Sequence, residues 1–251
     1  KDVLLPDLNA TQFADMFASL TNAFGLWYAQ TIAYGLFAAR CVAPQGKYFS
    51  RQSAADLVPK TNPFLRRLFQ RIAAHDLDQR IAWIADDIAR LLAQTPIEEI
   101  LANFGKRTGK EDPVVHFYET FLAAYDSELR EVRGVYYTPE SVGSYIVRSI
   151  DHLLKTRFNK PMGLADENTF ILDPATGTGS FLFAVVNLAR NTVSQTIGAG
   201  AWSDYVDKYL LTRLFGFELL VAPYTIAHLK LSLLLKETGY NFSGQQRVGV
   251  Y

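Results

Sequence analysis

One stretch of the chain, Thr169-Phe170-Ile171-Leu172-Asp173-Pro174-Ala175-Thr176-Gly177-Thr178-Gly179-Ser180-Phe181, restricts the fold more than any other. A short apolar run that ends in an acid, bends on two glycines and resumes as an apolar periodic segment spells strand, tight turn and helix. The periodic segment carries Phe181, Phe183, Val185, Val186 and Leu188. The same grammar recurs downstream. Residues 214–218 predict a second strand, Ala222 to about Lys236 a helix, and residues 247–251 the start of a third strand. Strands alternating with helices of this length imply a parallel sheet with helical crossovers.

Upstream the pattern is helical. Thr95, Pro96 and Glu98 spell a capping box ahead of Ile97, Ile100 and Leu101, while Asn62-Pro63 and Asp112-Pro113 are further helix starts. Ile81, Ile84, Ile88, Leu91 and Leu92 recur at helical spacing, as do Phe117, Phe121, Leu122 and Tyr125. Residues 16–39 carry no charge, but Ser19, Thr21, Asn22, Gln30 and Thr31 interrupt them, which favours a buried helix over a membrane span. Thr138-Pro139-Glu140 opens a helix expected to bury Ile146, Val147, Ile150, Leu153 and Leu154. The predicted architecture is α/β: an all-α helical domain over residues 1–130, then the opening half of an α/β domain over residues 131–251.

Charge and cysteine content remove several function classes. Lys plus Arg and Asp plus Glu are 25 each, so no polycation is present and any nucleic acid must be held by a local patch or by another part of the protein. The lone Cys41 cannot form an internal disulfide, which fits a reducing cytoplasm. His75, His116, His152 and His228 show no metal-ligand spacing, so no metal site is expected. The chain starts Lys1-Asp2, without a signal peptide or an initiator Met, as an excised piece of a longer protein would.

In open α/β sheets the ligand crevice lies beyond the carboxyl ends of the strands, which sets Asp173 and Glu218 side by side there. Two carboxylates at adjacent strand ends suit a ligand with a cationic ammonium and a ribose diol. A nicotinamide dinucleotide fits poorly. Its fingerprint needs Gly-x-Gly-x-x-Gly with the ribose acid about 20 residues on. Leu182 occupies the third glycine position, and Glu218 lies more than twice that distance beyond Asp173. S-adenosylmethionine fits better, with its ammonium at Asp173, its methionine backbone over the glycine turn and its ribose at Glu218.

With these residues in view, the chain resembles the N6-adenine DNA methyltransferases, especially the large fused enzymes of restriction-modification and phage-defence systems. Gly134-Val135-Tyr136-Tyr137-Thr138-Pro139-Glu140-Ser141-Val142 is similar to the family motif that precedes the cofactor strand, residues 173–181 to its cofactor motif, and Gly216-Phe217-Glu218-Leu219-Leu220 to its ribose motif. Residues 29–40 are similar to a helix ahead of the methyltransferase in such multidomain proteins. The resemblance implies a Rossmann-like S-adenosylmethionine-dependent methyltransferase domain with a truncated parallel sheet. It implies that Tyr137, Thr138 and Pro139 contact the methionine end. Asp173, Pro174, Ala175, Thr176, Gly177, Gly179 and Phe181 would form the cofactor turn, Asp173 and Gly177 holding the ligand. Glu218 would bind the ribose hydroxyls and Leu219 would pack on the adenine. For Thr138 the plain alternative is helix capping, and for Leu219 core packing.

The family's catalytic Asn/Asp-Pro-Pro-Tyr/Phe motif, which holds the target amine and stacks on the flipped base, does not occur in these 251 residues, and Asn62-Pro63-Phe64 lacks the second proline. The expectation is therefore a cofactor-binding portion, inactive alone and without catalytic residues of its own. Its parent would methylate adenine in double-stranded DNA beside nuclease and target-recognition domains, any nuclease needing Mg²⁺. Methylation of RNA or protein, or a helical coupler role for residues 1–130, stay open as alternatives. Lys106, Arg107 and Lys110, with Arg66, Arg67 and Arg71, are clusters that solvated helix faces explain as well as phosphate contact does.

Overall fold

The computed structural model describes residues 23–43, 48–57, 66–67, 69–70, 77–101, 138–242 and 246–251. The chain divides into two compact units, Lys1–Val135 and Tyr136–Tyr251. The described part of the first unit contains helices α1 (Ala23–Val42), α2 (Arg51–Leu57), α3 (Gln79–Gln94) and α4 (Ile97–Leu101). From Ala29 to Ala39 almost every α1 side chain is buried, and a Cβ on Gly35 would strike the Phe69 ring. No helix among the described residues is long and apolar enough to cross a membrane.

Polar groups fix the order of these helices. Arg40 at the end of α1 donates from Nε to the Leu92 carbonyl (2.8 Å) and from Nη2 to that of Thr95 (3.2 Å), closing the C-terminus of α3 where carbonyls lack helical partners. Buried Arg51 pairs with Asp86 at 2.8 Å. Helix α3 buries Ile84, Ile88 and Leu92 as its spacing predicts, with Ile81 and Leu91 at the margins. The helix predicted after Thr95-Pro96 is present as α4, but its capping box is corrected: Thr95 also terminates α3, its hydroxyl donating backwards to the Leu91 carbonyl at 3.0 Å, because a buried hydroxyl finds an acceptor one turn behind it. The helix starts at Asn62 and Asp112 and the stripe from Phe117 to Tyr125 lie outside the described residues.

The second unit is mostly helical around a small sheet. Helix α5 (Glu140–Arg157) precedes β1 (Ile171–Asp173), and α6 (Ser180–Thr196) follows it. Then come α7 (Trp202–Tyr205), a π-helical turn (Val206–Leu210), α8 (Leu211–Arg213), β2 (Leu214–Gly216), α9 (Val221–Glu237) and β3 (Gly249–Val250). The strands lie in the order β1-β2-β3, all parallel, with Ile171 opposite Leu214, Asp173 opposite Gly216, and Gly216 opposite Val250. Right-handed crossovers in this order put α6 and α9 on one face. That face buries Leu214, Val248 and Val250. Side chains alternate across a strand, so Phe170, Leu172, Phe217 and Tyr251 share the other face, where they are 74%, 55%, 51% and 49% exposed.

The stripe expected to bury α5 is also corrected. Of its members Val147 is buried, whereas Ile146, Ile150 and Leu153 are exposed. The helix seats instead through Gly143, Val147 and Asp151. Gly143 admits the Phe181 ring of α6, and Asp151 accepts the Leu164 N–H at 2.9 Å while pairing with Lys155 at 2.8 Å. A small residue and a carboxylate, both invisible to a hydrophobic count, choose the contact face.

Arg213 anchors β2 to the loop before β1. It is 1% exposed; Nη1 donates to the carbonyls of Leu164 (2.8 Å) and Thr169 (2.9 Å), and Nη2 donates to the Tyr205 hydroxyl. That hydroxyl in turn donates to the Ala165 carbonyl at 2.7 Å. Removing the guanidinium strands three acceptors in the interior, so Arg213→Ala should cost about 3–5 kcal/mol in urea unfolding, against about 1 kcal/mol for Tyr205→Phe.

Candidate functional site

The carboxyl ends of β1 and β2 are laced together by backbone bonds that continue past the strands. Phe217 N–H donates to the Asp173 carbonyl at 2.9 Å and Thr176 N–H to the Phe217 carbonyl at 2.9 Å. On the far side, Tyr251 N–H donates to the Gly216 carbonyl (2.9 Å) and Glu218 N–H to that of Tyr251 (2.8 Å). The acids at the two strand ends are thereby brought to one turn, as the sequence predicts.

That turn runs from Pro174 to Gly179 and requires both glycines. Gly177 has φ 55° and Gly179 φ 82°, in the left-handed region that side chains rarely adopt. A Cβ on Gly179 would also lie 3.2 Å from the Ala227 Cβ of α9, whereas Gly177 has open space around it. Gly177→Ala should therefore cost about 1–2 kcal/mol from backbone strain alone. Gly179→Ala should cost more, because α9 must also shift, and denaturant unfolding of the two variants reads the difference.

The carboxylates are not equivalent. Glu218 accepts from Gly177 N–H (2.8 Å) and Leu220 N–H (2.7 Å), one amide for each oxygen. Asp173 accepts at Oδ1 from Ala175 N–H at 3.2 Å, while its Oδ2 is buried with no partner among the described residues. Burial pushes the Asp173 carboxyl above the usual range, and the Ala175 N–H only partly opposes it. Because the folded value exceeds the ordinary 3.8, ionised Asp173 costs stability, and the cost disappears as pH falls through the raised value. The difference in melting temperature between wild type and Asp173→Asn should accordingly shrink or reverse on acidification, with the variant no less stable at pH 7.

The other expected site residues separate into groups. Pro174 and Ala175 are exposed on the turn, and Leu219 is 94% exposed, so it is not the core residue of its plain alternative. Thr138 is half-buried and Pro139 exposed; Pro139 occupies the N-cap of α5, so Thr138 is not the capping residue. Tyr137 lies outside the described residues. Phe181 packs on Gly143, and the Thr176 side chain is buried beneath the turn. Sequence reasoning missed Ala227, whose small side chain makes room for Gly179, and Tyr251, whose backbone fixes Glu218; neither carries a local signal.

Among the described residues no cluster of His, Cys, Asp or Glu could hold a metal. His228 is buried, its Nε2 3.1 Å from the Val250 carbonyl and its ring 4.5 Å from that of Tyr224, and His152 is exposed. His75 and His116 lie outside the described residues, as do Arg71, Lys106, Arg107 and Lys110. With an unpartnered carboxylate oxygen beside an amide-satisfied carboxylate, the turn suits a cationic group followed by hydroxyls.

A family model described as N-6 DNA Methylase matches residues 109–244. No curated protein matches the chain. Similar solved structures include the nuclease-deletion mutant of the Type ISP restriction-modification enzyme LlaGI with a DNA substrate mimic (19% identity, TM-score 0.55, 96% of this chain and 18% of that one). The DrdV–DNA complex is similar at 19% identity and TM-score 0.58, over 93% of this chain and 21% of that one. The ATP-dependent Type ISP restriction-modification enzyme LlaBIII bound to DNA is similar at 19% identity and TM-score 0.59, over 97% and 16%. At this identity the likeness speaks for the fold, and the chain spans at most about a fifth of each of these proteins.

Proposed function

Because the chain belongs to the N-6 DNA methylase family, we propose that it is the S-adenosylmethionine-binding part of a site-specific enzyme that methylates adenine N6 in double-stranded DNA within a restriction-modification system. The observation that carries this reading is the buried Oδ2 of Asp173, without a partner among the described residues, beside the glycine turn that Glu218 closes. A starved carboxylate oxygen is a poor neighbour for a pyrophosphate and a good one for an ammonium group. Likeness to DNA-bound restriction-modification enzymes supports DNA as the substrate of the parent protein.

The residues present fit the cofactor. Asp173 would accept the ammonium of its methionine part. Glu218 has two lone-pair positions left after its two amide bonds, enough for the ribose diol. Leu219 offers an exposed apolar side chain to the adenine, and Thr138 and Pro139, with Tyr137, would border the methionine end. When bound, S-adenosylmethionine supplies a methyl group activated on sulfonium. What the chain's own residues do is bind and orient, which accounts for much of the barrier when two reactants must meet in line. Holding the target base falls to the Asn/Asp-Pro-Pro-Tyr/Phe motif, which this sequence does not contain.

Calorimetric titration should show binding of S-adenosylmethionine and none of NAD. Affinity should fall as pH drops through the raised Asp173 value, since a protonated carboxyl no longer attracts the ammonium. Asp173→Asn should weaken binding roughly tenfold to a hundredfold at pH 7, the worth of a charged hydrogen bond. NAD binding as tightly as S-adenosylmethionine would overturn the reading. The chain alone should transfer no labelled methyl group to DNA; measurable transfer to adenine would refute the cofactor-only role.

A further inference from the structure

Thr176 sits in the middle of the glycine turn, where a ligand contact is the natural guess, yet its side chain is 4% exposed. All three of its polar groups are used inside the fold. Its N–H donates to the Phe217 carbonyl at 2.9 Å, its hydroxyl to the Asp173 carbonyl at 3.1 Å, and its carbonyl accepts from Gly179 N–H at 2.9 Å. One residue therefore ties together the end of β1, the end of β2 and the glycine at the start of α6.

The socket for this side chain is Gly216, the last residue of β2. A Cβ there would drive into the Thr176 hydroxyl, well inside van der Waals contact, and lie 3.0 Å from Leu182 Cδ1. Gly216 has no positive φ to explain it, so space is what the glycine provides. It precedes Phe217 and Glu218, so whatever seats Thr176 also sets where the second carboxylate starts.

We infer that Thr176 is a positioning residue which, seated in the Gly216 socket, fixes the spacing of the Asp173 and Glu218 carboxylates without touching the ligand. The inference rests on the cofactor reading above. It assigns the hydroxyl, not the bulk of the side chain, to the task. Serine should serve; valine, which keeps the shape and loses the donor, should not. A loosened turn also admits water to Asp173 Oδ2, which removes part of the desolvation that raises its titration.

The test is calorimetric titration of the chain with S-adenosylmethionine across pH, with thermal unfolding measured in parallel. Thr176→Val and Gly216→Ala should each weaken binding about threefold to tenfold, the worth of one hydrogen bond. They should also move the acid limb of the affinity profile to lower pH. Thr176→Ser should stay within about twofold of wild type with its acid limb unmoved, and it keeps the test decisive if either other variant fails to fold. Wild-type binding with Thr176→Val and Gly216→Ala unchanged in affinity and pH profile would overturn the positioning role alone. So would loss of melting temperature with full affinity in the folded protein, or a Thr176→Ser variant as impaired as Thr176→Val. A wild-type chain that does not bind S-adenosylmethionine would overturn the cofactor reading first, and the positioning role with it.

Discussion

Everything at this site depends on parallel strands staying paired beyond their formal ends. Regular pairing of β1 and β2 stops at Asp173 and Gly216. The exchange between Asp173, Phe217 and Thr176 carries the ladder two residues further, into the turn. Without it the acids would project from two independent loops, each free to hydrate. With it, two carboxylates far apart in sequence become one rigid feature, and the ordering entropy of the turn is met when the protein folds and not when a ligand arrives. Buried Arg213 does the same work at the other end of the sheet, holding the loop before β1 against the helix before β2.

Within this frame the two acids have opposite electrostatic status. Glu218 is stabilised by two backbone amides, one of them from the glycine turn itself, so its charge is balanced by the fold. Asp173 is half-buried, its Oδ2 out of water and without a partner among the described residues, a cost of the kind that proteins keep where function requires it. The pair is thus one carboxylate balanced by backbone amides and one with an oxygen left unpaired among the described residues. Their likeness in sequence conceals this, because what differs is the number of N–H groups aimed at each.

The features that were legible in the sequence are those that local rules control. Gly177 and Gly179 announce a left-handed turn, Asp173 and Glu218 fall at strand ends that apolar runs mark out, and the 81–92 stripe gives the buried face of α3. What was not legible depends on partners distant in sequence. The apolar stripe of α5 predicts the wrong face because Gly143 and Asp151 make its contacts. Thr95 precedes a helix as its letters predict, yet its hydroxyl serves the helix behind it, since a hydroxyl binds the carbonyl available to it. Thr176 falls in a turn that invites a ligand contact, yet its N–H, hydroxyl and carbonyl are all bonded to partners that sequence order does not announce.

The start of α6 poses an electrostatic conflict that bears on the class of ligand. A glycine turn at a helix N-terminus is by itself an anion site, with free N–H groups and the positive end of the helix dipole facing outward. Had the strand ended in a neutral residue, a phosphate would be the natural guest. Here Gly177 N–H is given to Glu218 and Gly179 N–H to the Thr176 carbonyl, so both glycine amides are engaged within the fold. Beside them lies Asp173 Oδ2, buried and without a partner among the described residues, and no dipole worth about half a charge can make such a carboxylate attractive to a second anion. The two carboxylates thus weigh against a phosphate at this turn, which is the electrostatic ground for proposing a cationic group there.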